Sequence, residues 1–289
     1  MVRTERVADE TAHTGEGPLW HPEKRCLYWV DIPAGRLYRY DPASGDNEVA
    51  YETDGVPLGG YTIEADGALL LFTHGAVERL VPGESTTEPV VTVDAETRFN
   101  DVIADPEGRV FAGTMPGNGD LGDLYRIDTD RSARVVVEGL DIPNGMGFSG
   151  DGSTFYLTES EAGRVYAYDY DYATGEIANR RTFVATPPED GVPDGMTVDA
   201  EDHDWSARWG GGRAVRYGPT GRAVDQIELP ARKVSSVTFA GPSRDVLYAT
   251  TALTDGDRSV EGDGAGSLFR VTGLQTGGRS EFRSRIAVE

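Results

Sequence analysis

The sequence is organised by one outline that returns six times along the chain. Each copy opens with a small or polar residue, continues into a short alternating apolar run, passes through a turn rich in Gly, Asp and Pro, and enters a second apolar run. This outline is typical of a β-hairpin. The copies open at residues 16, 60, 100, 144, 194 and 235, and the intervals of 40 to 50 residues match those of four-stranded propeller blades.

Most copies continue into a third strand rich in aromatic and β-branched residues, as at residues 36–40, 123–127 and 164–169. A solenoid of stacked repeats would also have a fixed period, but it would not need three or four such strands in every repeat. We therefore predict an all-β fold, a six-bladed β-propeller with four-stranded blades. Because no linker interrupts the repeats, we expect residues 1–289 to form a single domain.

The two ends of the chain decide how such a ring closes. Residues 5–12 read as a strand without a place in the first repeat, while the sixth repeat, from Ser235 to about Thr272, shows only three strands. We predict that the N-terminal strand supplies the outer fourth strand of the last blade. The C-terminal residues 281–286 compete for the same position.

The charge of the chain restricts its partners and its surroundings. Forty-nine acidic residues face 27 basic ones, the net charge is −22, and only Lys24 and Lys233 are lysines. We interpret this composition as an adaptation to molar salt, where screening makes an acidic surface tolerable. No basic stripe could neutralise phosphates, so we expect no nucleic acid and no membrane as a partner.

The sequence also contains no long apolar run that could span a membrane and no signal peptide, so we expect a soluble, cytoplasmic protein. Cys26 lies in an apolar run, and a lone cysteine cannot form an internal disulfide. We expect its side chain to be buried. The oligomeric state is open between a monomer and a small homo-oligomer.

The residues that open the six repeats should form a ring around one mouth of the propeller channel. They are Glu16, Gly60, Asn100, Asn144, Asp194, and Ser235 or Ser236. Asn and Asp before Gly often serve only as turn residues, and that interpretation suits residues 144 and 194 taken singly. A role as turn residues does not explain Glu16. It also does not explain why four carboxylate and carboxamide groups should lie at the same end of the propeller axis. Such oxygen donors are suited to Ca²⁺, Mg²⁺ or Mn²⁺.

Four paired segments carry a resemblance to a known family. They are Gly-Glu-Gly-Pro-Leu-Trp at 15–20 with 27–32, Arg-Phe-Asn-Asp at 98–101 with Phe-Ala-Gly-Thr-Met at 111–115, Pro-Asn-Gly-Met at 143–146 with 166–170, and Pro-Asp-Gly-Met at 193–196 with 209–212. Together they resemble the gluconolactonase and regucalcin (senescence marker protein) family, over nearly the whole chain. The resemblance implies a six-bladed propeller with one catalytic divalent metal in its channel. It also implies an enzyme that hydrolyses aldonolactones. With the composition, it suggests a haloarchaeal sugar lactonase.

The resemblance also implies roles for individual residues. Glu16, Asn144 and Asp194 match the metal ligands, and Asp194 also matches the acid/base residue. Arg98 and Asn100 match the substrate-binding pair. An acidic residue that some relatives carry after Gly-Thr-Met is replaced here by Pro-Gly-Asn at 116–118, which makes Asn118 a candidate sugar contact. The metal would be Ca²⁺, Mg²⁺, Mn²⁺ or Zn²⁺.

The expected reaction opens a sugar lactone to an aldonic acid, with the metal polarising the carbonyl and Asp194 assisting the attack of water. Xylono-, arabinono-, galactono- and gluconolactone are candidate substrates. One alternative is a metal-dependent esterase or organophosphate hydrolase on the same fold, and another is a calcium-binding propeller without turnover.

The four histidines do not form a cluster in the sequence, which makes a Ser-His-Asp hydrolase a poor fit. We expect each of them at the surface or in a turn.

The charge balance gives a prediction that does not depend on the family resemblance. The Debye length grows from about 3 Å at 1 M salt to about 10 Å at 0.1 M, so dilution restores repulsion among the carboxylates. We expect the thermal midpoint to fall steeply when KCl is lowered from about 1 M to about 0.1 M, with partial protection by millimolar divalent metal. A midpoint that stays constant or rises in a thermal melt would contradict salt adaptation.

Overall fold

The structure is a computed structural model that describes residues 1–95 and 97–288. Within these residues, 24 strands form six four-stranded sheets. The chain begins with β1 (Arg3–Ala8).

Each of the next five sheets is made from four consecutive strands. Blade 1 contains β2 (Gly15–His21), β3 (Cys26–Asp31), β4 (Arg36–Tyr40) and β5 (Asn47–Glu52). Blade 2 contains β6 (Gly60–Ile63), β7 (Leu69–Phe72), β8 (Ala76–Leu80) and β9 (Thr87–Thr92). Blade 3 contains β10 (Phe99–Ala104), β11 (Val110–Thr114), β12 (Gly122–Ile127) and β13 (Ala133–Leu140).

Blade 4 contains β14 (Pro143–Phe148), β15 (Thr154–Glu159), β16 (Arg164–Tyr170) and β17 (Ile177–Ala185). A 3₁₀ turn (Pro188–Asp190) leads to blade 5, which contains β18 (Val192–Val198), β19 (Asp204–Trp209), β20 (Arg213–Tyr217) and β21 (Ala223–Glu228). Blade 6 contains β22 (Val234–Ala240), β23 (Val246–Thr251) and β24 (Leu268–Thr272). The short helix α1 (Arg258–Glu261) lies between its last two strands.

The first and last parts of the chain close the ring as predicted. Strand β1 pairs antiparallel with β24, from Arg3 opposite Thr272 to Ala8 opposite Leu268, and so becomes the outer strand of blade 6. The innermost strands β2, β6, β10, β14, β18 and β22 each contact their neighbours around the axis. The prediction of a six-bladed propeller with four-stranded blades, closed by the N-terminal strand, is confirmed.

The core lies between the blades because both faces of the inner strands are covered. Between blades 5 and 6, for example, Trp205 and Ile227 pack with Phe239 and Phe269. Between blades 3 and 4, Phe111 stacks on Phe155 with ring centroids 4.8 Å apart. Cys26 is fully buried, as expected.

One histidine departs from the expectation. His21, the last residue of β2, is fully buried, and its Nε2 lies 2.9 Å from the carbonyl oxygen of Gly67 in the next blade. The side chain therefore joins blades 1 and 2, a contact that no local sequence pattern could indicate. The expectation of a surface or turn histidine is wrong for His21, because its ring is buried at the end of a strand.

The C-terminal segment, residues 273–288, does not add an outer strand. It crosses the ends of the inner hairpins, where Gly278 bridges Asp199 and Ser284 bridges Glu64. The carboxylate of Glu64 accepts hydrogen bonds from the backbone N–H groups of residues 286, 287 and 288, at 3.1, 3.1 and 3.3 Å. Ile286 is buried between blades 2 and 3. This segment therefore covers the end of the propeller opposite to the start of the inner strands.

Glu64 should be a major anchor of this segment, because it is fully buried and satisfies three backbone donors. We expect Glu64→Ala to lower the free energy of unfolding by about 3 kcal/mol, since it leaves buried N–H groups without an acceptor. Glu64→Gln, with one remaining acceptor oxygen, should lose less. Denaturant unfolding measures both, and Glu84→Ala at an exposed position is the control. A loss for Glu64→Ala no larger than the control's would contradict this role.

Candidate active site

The predicted site residues lie where the inner strands begin, at the end opposite to the C-terminal segment. In five of the six blades the pairing of the inner strand with its neighbour is shifted at this point. The shifts lie between residues 16 and 19, 99 and 102, 144 and 146, 193 and 196, and 234 and 236. A β-bulge of this kind turns a side chain away from the regular alternation of a strand. The bulges lie at Glu16, Asn100, Asn144 and Asp194, and in blade 6 at Ser235, whose hydroxyl donates to the carbonyl oxygen of Gly15 in blade 1.

The glycines that follow two of these residues are required by close packing. A Cβ atom on Gly145 would lie 2.5 Å from the carbonyl oxygen of Asp194 and 2.6 Å from the backbone nitrogen of Met196. A Cβ on Gly195 would collide with the side chain of Ser236. The Asn-Gly and Asp-Gly pairs are therefore not turns. They lie in strands, and the glycine lets neighbouring inner strands approach each other around the axis.

Four of the predicted residues form two hydrogen-bonded pairs that lie next to each other across blades 3, 4 and 5. The Arg98 guanidinium donates to Asn100 Oδ1 at 3.0 Å, and Asn100 Nδ2 donates to the carbonyl oxygen of Pro143 at 3.1 Å. Asn144 follows Pro143 in the chain, and its Nδ2 donates to Asp194 Oδ1 and, at 3.2 Å, to Ser160 Oγ. The proposed substrate-binding pair thus contacts the backbone of Pro143, next in the chain to the hydrogen-bonded pair of proposed metal ligands, Asn144 and Asp194.

Glu16 completes this group from blade 1 without a side-chain hydrogen bond to it. Its Oε2 accepts only the backbone N–H of Gly17, at 3.1 Å, among the hydrogen bonds found in the described residues. Burial raises the pKa of Glu16 well above its ordinary value, and the nearby carboxylates of Asp194 and Asp101 raise it further. Glu16 is therefore close to two other acids.

The pKa values of Asp101 and Asp194 are also raised above their ordinary values. Burial raises the pKa of Asp101 to about 6. The pKa of Asp194 is raised well above its ordinary value by burial first and by Asp101 second, while the hydrogen bond from Asn144 acts in the opposite direction. The positive charge of Arg98 lowers the pKa of Glu16, against the effect of burial. Burial in turn lowers the pKa of Arg98.

Three carboxylates therefore converge without a paired cation of the protein. In the described part of the chain, no Lys, Arg or His forms an ion pair with Glu16, Asp101 or Asp194 within 4.0 Å. Asp194 is buried and Glu16 and Asp101 are partly buried, so a proton or a bound cation would stabilise the group. The donors are carboxylate and amide oxygens, which fit a hard divalent cation such as Ca²⁺, Mg²⁺ or Mn²⁺ better than they fit Zn²⁺. Glu16, Asn144 and Asp194 could hold it.

Asn118 lies apart from this network. It belongs to the connection between β11 and β12, with φ of 54°, and next to it Gly117 and Asp120 form an isolated bridge. No hydrogen bond joins its side chain to Arg98, Asn100, Asn144 or Asp194 among residues 1–95 and 97–288. The connection follows a strand that ends on the same side as the site, so a role for Asn118 in binding the sugar stays a prediction.

Two features of the site were less accessible from the sequence. Asp101 follows Asn100 in the Arg-Phe-Asn-Asp segment, but its electrostatic effect on Glu16 and Asp194 depends on how three blades meet. Ser160, which accepts a hydrogen bond from Asn144, follows β15 and belongs to no recurring motif. Only the fold brings it to the site.

Known proteins share this architecture and these motifs. Residues 14–253 match the family model described as "SMP-30/Gluconolactonase/LRE-like region". The chain belongs to the SMP-30/gluconolactonase family. Pentonolactonase XacC of Haloferax volcanii is 50% identical over 288 residues, which cover 97% of this chain and 98% of the relative. Human regucalcin is 33% identical over 294 residues, with 97% and 98% covered.

Solved structures of the SMP-30/gluconolactonase kind superpose over the whole propeller. A luciferin-regenerating enzyme has a TM-score of 0.90 at 28% identity, covering 99% of this chain and 100% of its own. The resemblance to the gluconolactonase and regucalcin family found in the sequence is thereby confirmed. Separately, no helix in the described residues is both long and apolar enough to cross a membrane.

The buried acids predict how the metal-free protein responds to pH. Asp101, with a pKa of about 6, and Asp204, a buried and unpaired acid of β19 with a pKa of about 7, have ordinary values of 3.8 when unfolded. Between these values the folded state binds protons that the unfolded state has lost, so stability should fall as pH rises from about 4 to 7. His21 acts the other way, because burial lowers its pKa, but it is one group against several.

Thermal melts of chelator-treated protein at constant salt would measure this fall. Asp204→Asn is the matched variant, since it removes one raised pKa and keeps the shape of the side chain. Its midpoint should depend less on pH, most clearly near pH 7, than that of the wild type. A wild-type midpoint that is constant or rises between about pH 5 and 7 would contradict the assignment.

Proposed function

We propose that this protein hydrolyses sugar lactones to aldonic acids with the help of one divalent cation bound by Glu16, Asn144 and Asp194. The observation that carries the proposal is the pair Arg98–Asn100 placed beside the pair Asn144–Asp194, next to acids that have no paired cation in the described part of the chain. Membership of the SMP-30/gluconolactonase family and 50% identity to a pentonolactonase support the substrate class.

Each side chain of the site has a proposed role that follows from its chemistry. Arg98 and Asn100, both partly accessible, offer N–H donors that orient the lactone by its oxygen atoms. Asp194 accepts the proton of the attacking water, a role favoured by the burial that raises its pKa. Asn144 fixes the Asp194 carboxylate by its hydrogen bond. When bound, the divalent cation would supply Lewis-acid polarisation of the lactone carbonyl.

Aldonolactones are favoured as substrates because the ring must present several oxygen atoms to a polar site. Xylono- and arabinonolactone come first, in view of the pentonolactonase relative, followed by galactono- and gluconolactone. Asn118 is proposed to contact the distal part of the sugar from the connection between β11 and β12. We further propose a cytoplasmic enzyme, monomeric or a small homo-oligomer, since its single buried cysteine is compatible with a reducing compartment.

A substrate panel tests the proposed reaction directly. The protein is treated with chelator in molar KCl, reloaded with Mg²⁺, Mn²⁺, Ca²⁺ or Zn²⁺, and assayed for acid release from the four lactones. We expect turnover that is lost with the metal and returns with at least one of Mg²⁺, Mn²⁺ and Ca²⁺. An aryl ester or phosphotriester hydrolysed faster than every lactone would favour the esterase alternative. Calcium binding without any turnover would favour a binding protein.

Variants at the carboxylates test the residues. We expect Asp194→Asn and Glu16→Gln each to lower kcat by about 10²-fold or more, because each removes a charged oxygen donor while keeping the side-chain shape. The control is Glu23→Gln, an exposed acid in the β2–β3 turn at the opposite end, which should retain wild-type activity. Circular dichroism establishes that the variants fold. Near-normal turnover in either site variant would contradict the assigned site.

A further inference from the structure

An apolar cavity continues from the proposed site into the middle of the propeller. The inner strands carry oxygen donors where they begin, but three residues after Glu16 and Asn100 they carry Leu19 and Ile103. Both side chains keep part of their surface exposed, although β2 and β10 are the innermost strands of their blades. Both line a cavity of about 410 Å³. This volume is typical of pockets that take small organic ligands.

One end of the cavity lies at the proposed reaction centre. Its lining includes Asp101, one of the three converging carboxylates. Three further lining residues follow a proposed metal ligand by one or two positions in the chain, namely Gly17, Met146 and Met196. The other end of the cavity lies at Phe282 of the C-terminal segment, whose side chain is 39% exposed. A ligand in this cavity therefore lies next to the reaction centre.

The charged residues of the lining belong to its two ends. Asp101 lies at the site, and the others belong to the β14–β15 turn and the C-terminal segment, namely Asp151, Arg279 and Glu281. Between the ends the walls are mostly apolar and consist of inner-strand side chains such as Ile103 and Val198. Sugar hydroxyl groups would find few hydrogen-bond partners there, whereas an alkyl chain would leave water without burying a polar group.

We propose that this cavity binds the alkyl chain of aliphatic lactones and that the same centre hydrolyses them. The lactone ring lies at the site, and its alkyl substituent extends past Leu19, Ile103 and Val198 towards Phe282. Water adds to the carbonyl carbon, the ring C–O bond breaks, and the ring oxygen takes up a proton, which gives a hydroxy acid. This inference rests on the proposed lactonase reaction and extends its substrates from polar sugar lactones to apolar ones.

A series of alkyl chain lengths tests the cavity. Metal-loaded protein in molar KCl is assayed with γ-lactones that carry a methyl, propyl, pentyl or heptyl group, and with xylonolactone as the reference. Each added methylene group should raise kcat/KM about fourfold, because it is transferred from water into an apolar cavity. The gain should appear mainly as a lower KM, since the chain is bound equally in the ground state and the transition state.

Variants that fill the cavity locate the alkyl chain. Ile103→Trp places a larger side chain across the cavity, so kcat/KM relative to xylonolactone should increase less than about twofold per methylene group. Leu19→Phe fills the cavity from another blade and replaces Ile103→Trp if that variant does not fold. The control is Val49→Trp on the outer strand β5, where the side chain is 48% exposed, and it should keep the wild-type increase.

The outcomes separate this inference from the proposed function. Turnover of xylonolactone without any gain along the alkyl series would overturn the alkyl site and leave the sugar lactonase intact. A gain that both Ile103→Trp and Leu19→Phe leave unchanged would place the chain outside the cavity and overturn the proposal as well. If no lactone of either kind is hydrolysed, both the proposed function and this extension of it are wrong.

Discussion

The close approach of the inner strands around the axis is the constraint on which the rest of the structure depends. Gly145 and Gly195 have no room for a Cβ atom, since the backbone or side chain of the next inner strand occupies that position. The strands can meet so closely only because a bulge interrupts their pairing at the same level in five blades. In blades 4 and 5 the bulge and the glycine bring the preceding side chains, Asn144 and Asp194, within hydrogen-bond distance of each other. The site is thus a consequence of ring closure and not an addition to it.

That constraint explains what the sequence could predict. The repeat interval and the alternating strands indicated the blades, because each blade is built from neighbouring residues. The opening positions indicated Glu16, Asn100, Asn144 and Asp194, because equivalent positions in a ring share one end of the axis. The glycine after Asn144 or Asp194 was less informative, since Asn-Gly and Asp-Gly are also common turn signals. Only the neighbouring strand shows that the glycine is required by packing.

Contacts that join distant parts of the chain could not be predicted. His21 is buried against Gly67, and Glu64 binds the backbone of residues 286–288. In each case the partner lies in another blade or at the other end of the chain, and the residue itself lies at the end of an inner strand, in no recurring motif. The interaction of Asp101 with Glu16 and Asp194 has the same origin. Local patterns predict the elements, while the closure of the ring decides which side chains meet.

The acidic residues fall into two physical classes. On the blade surfaces, acids such as Glu52 and Asp169 pair with Arg36 and Arg181 across neighbouring strands. Such exposed pairs contribute little individually, and salt screens both their attraction and the repulsion of the remaining acids. Around the axis, Glu16, Asp101 and Asp194 form no ion pair within residues 1–95 and 97–288, and Asp194 is buried. Screening therefore weakens the repulsion among the surface acids directly, whereas the repulsion among the less exposed axial acids is relieved most effectively by a proton or a cation bound between them.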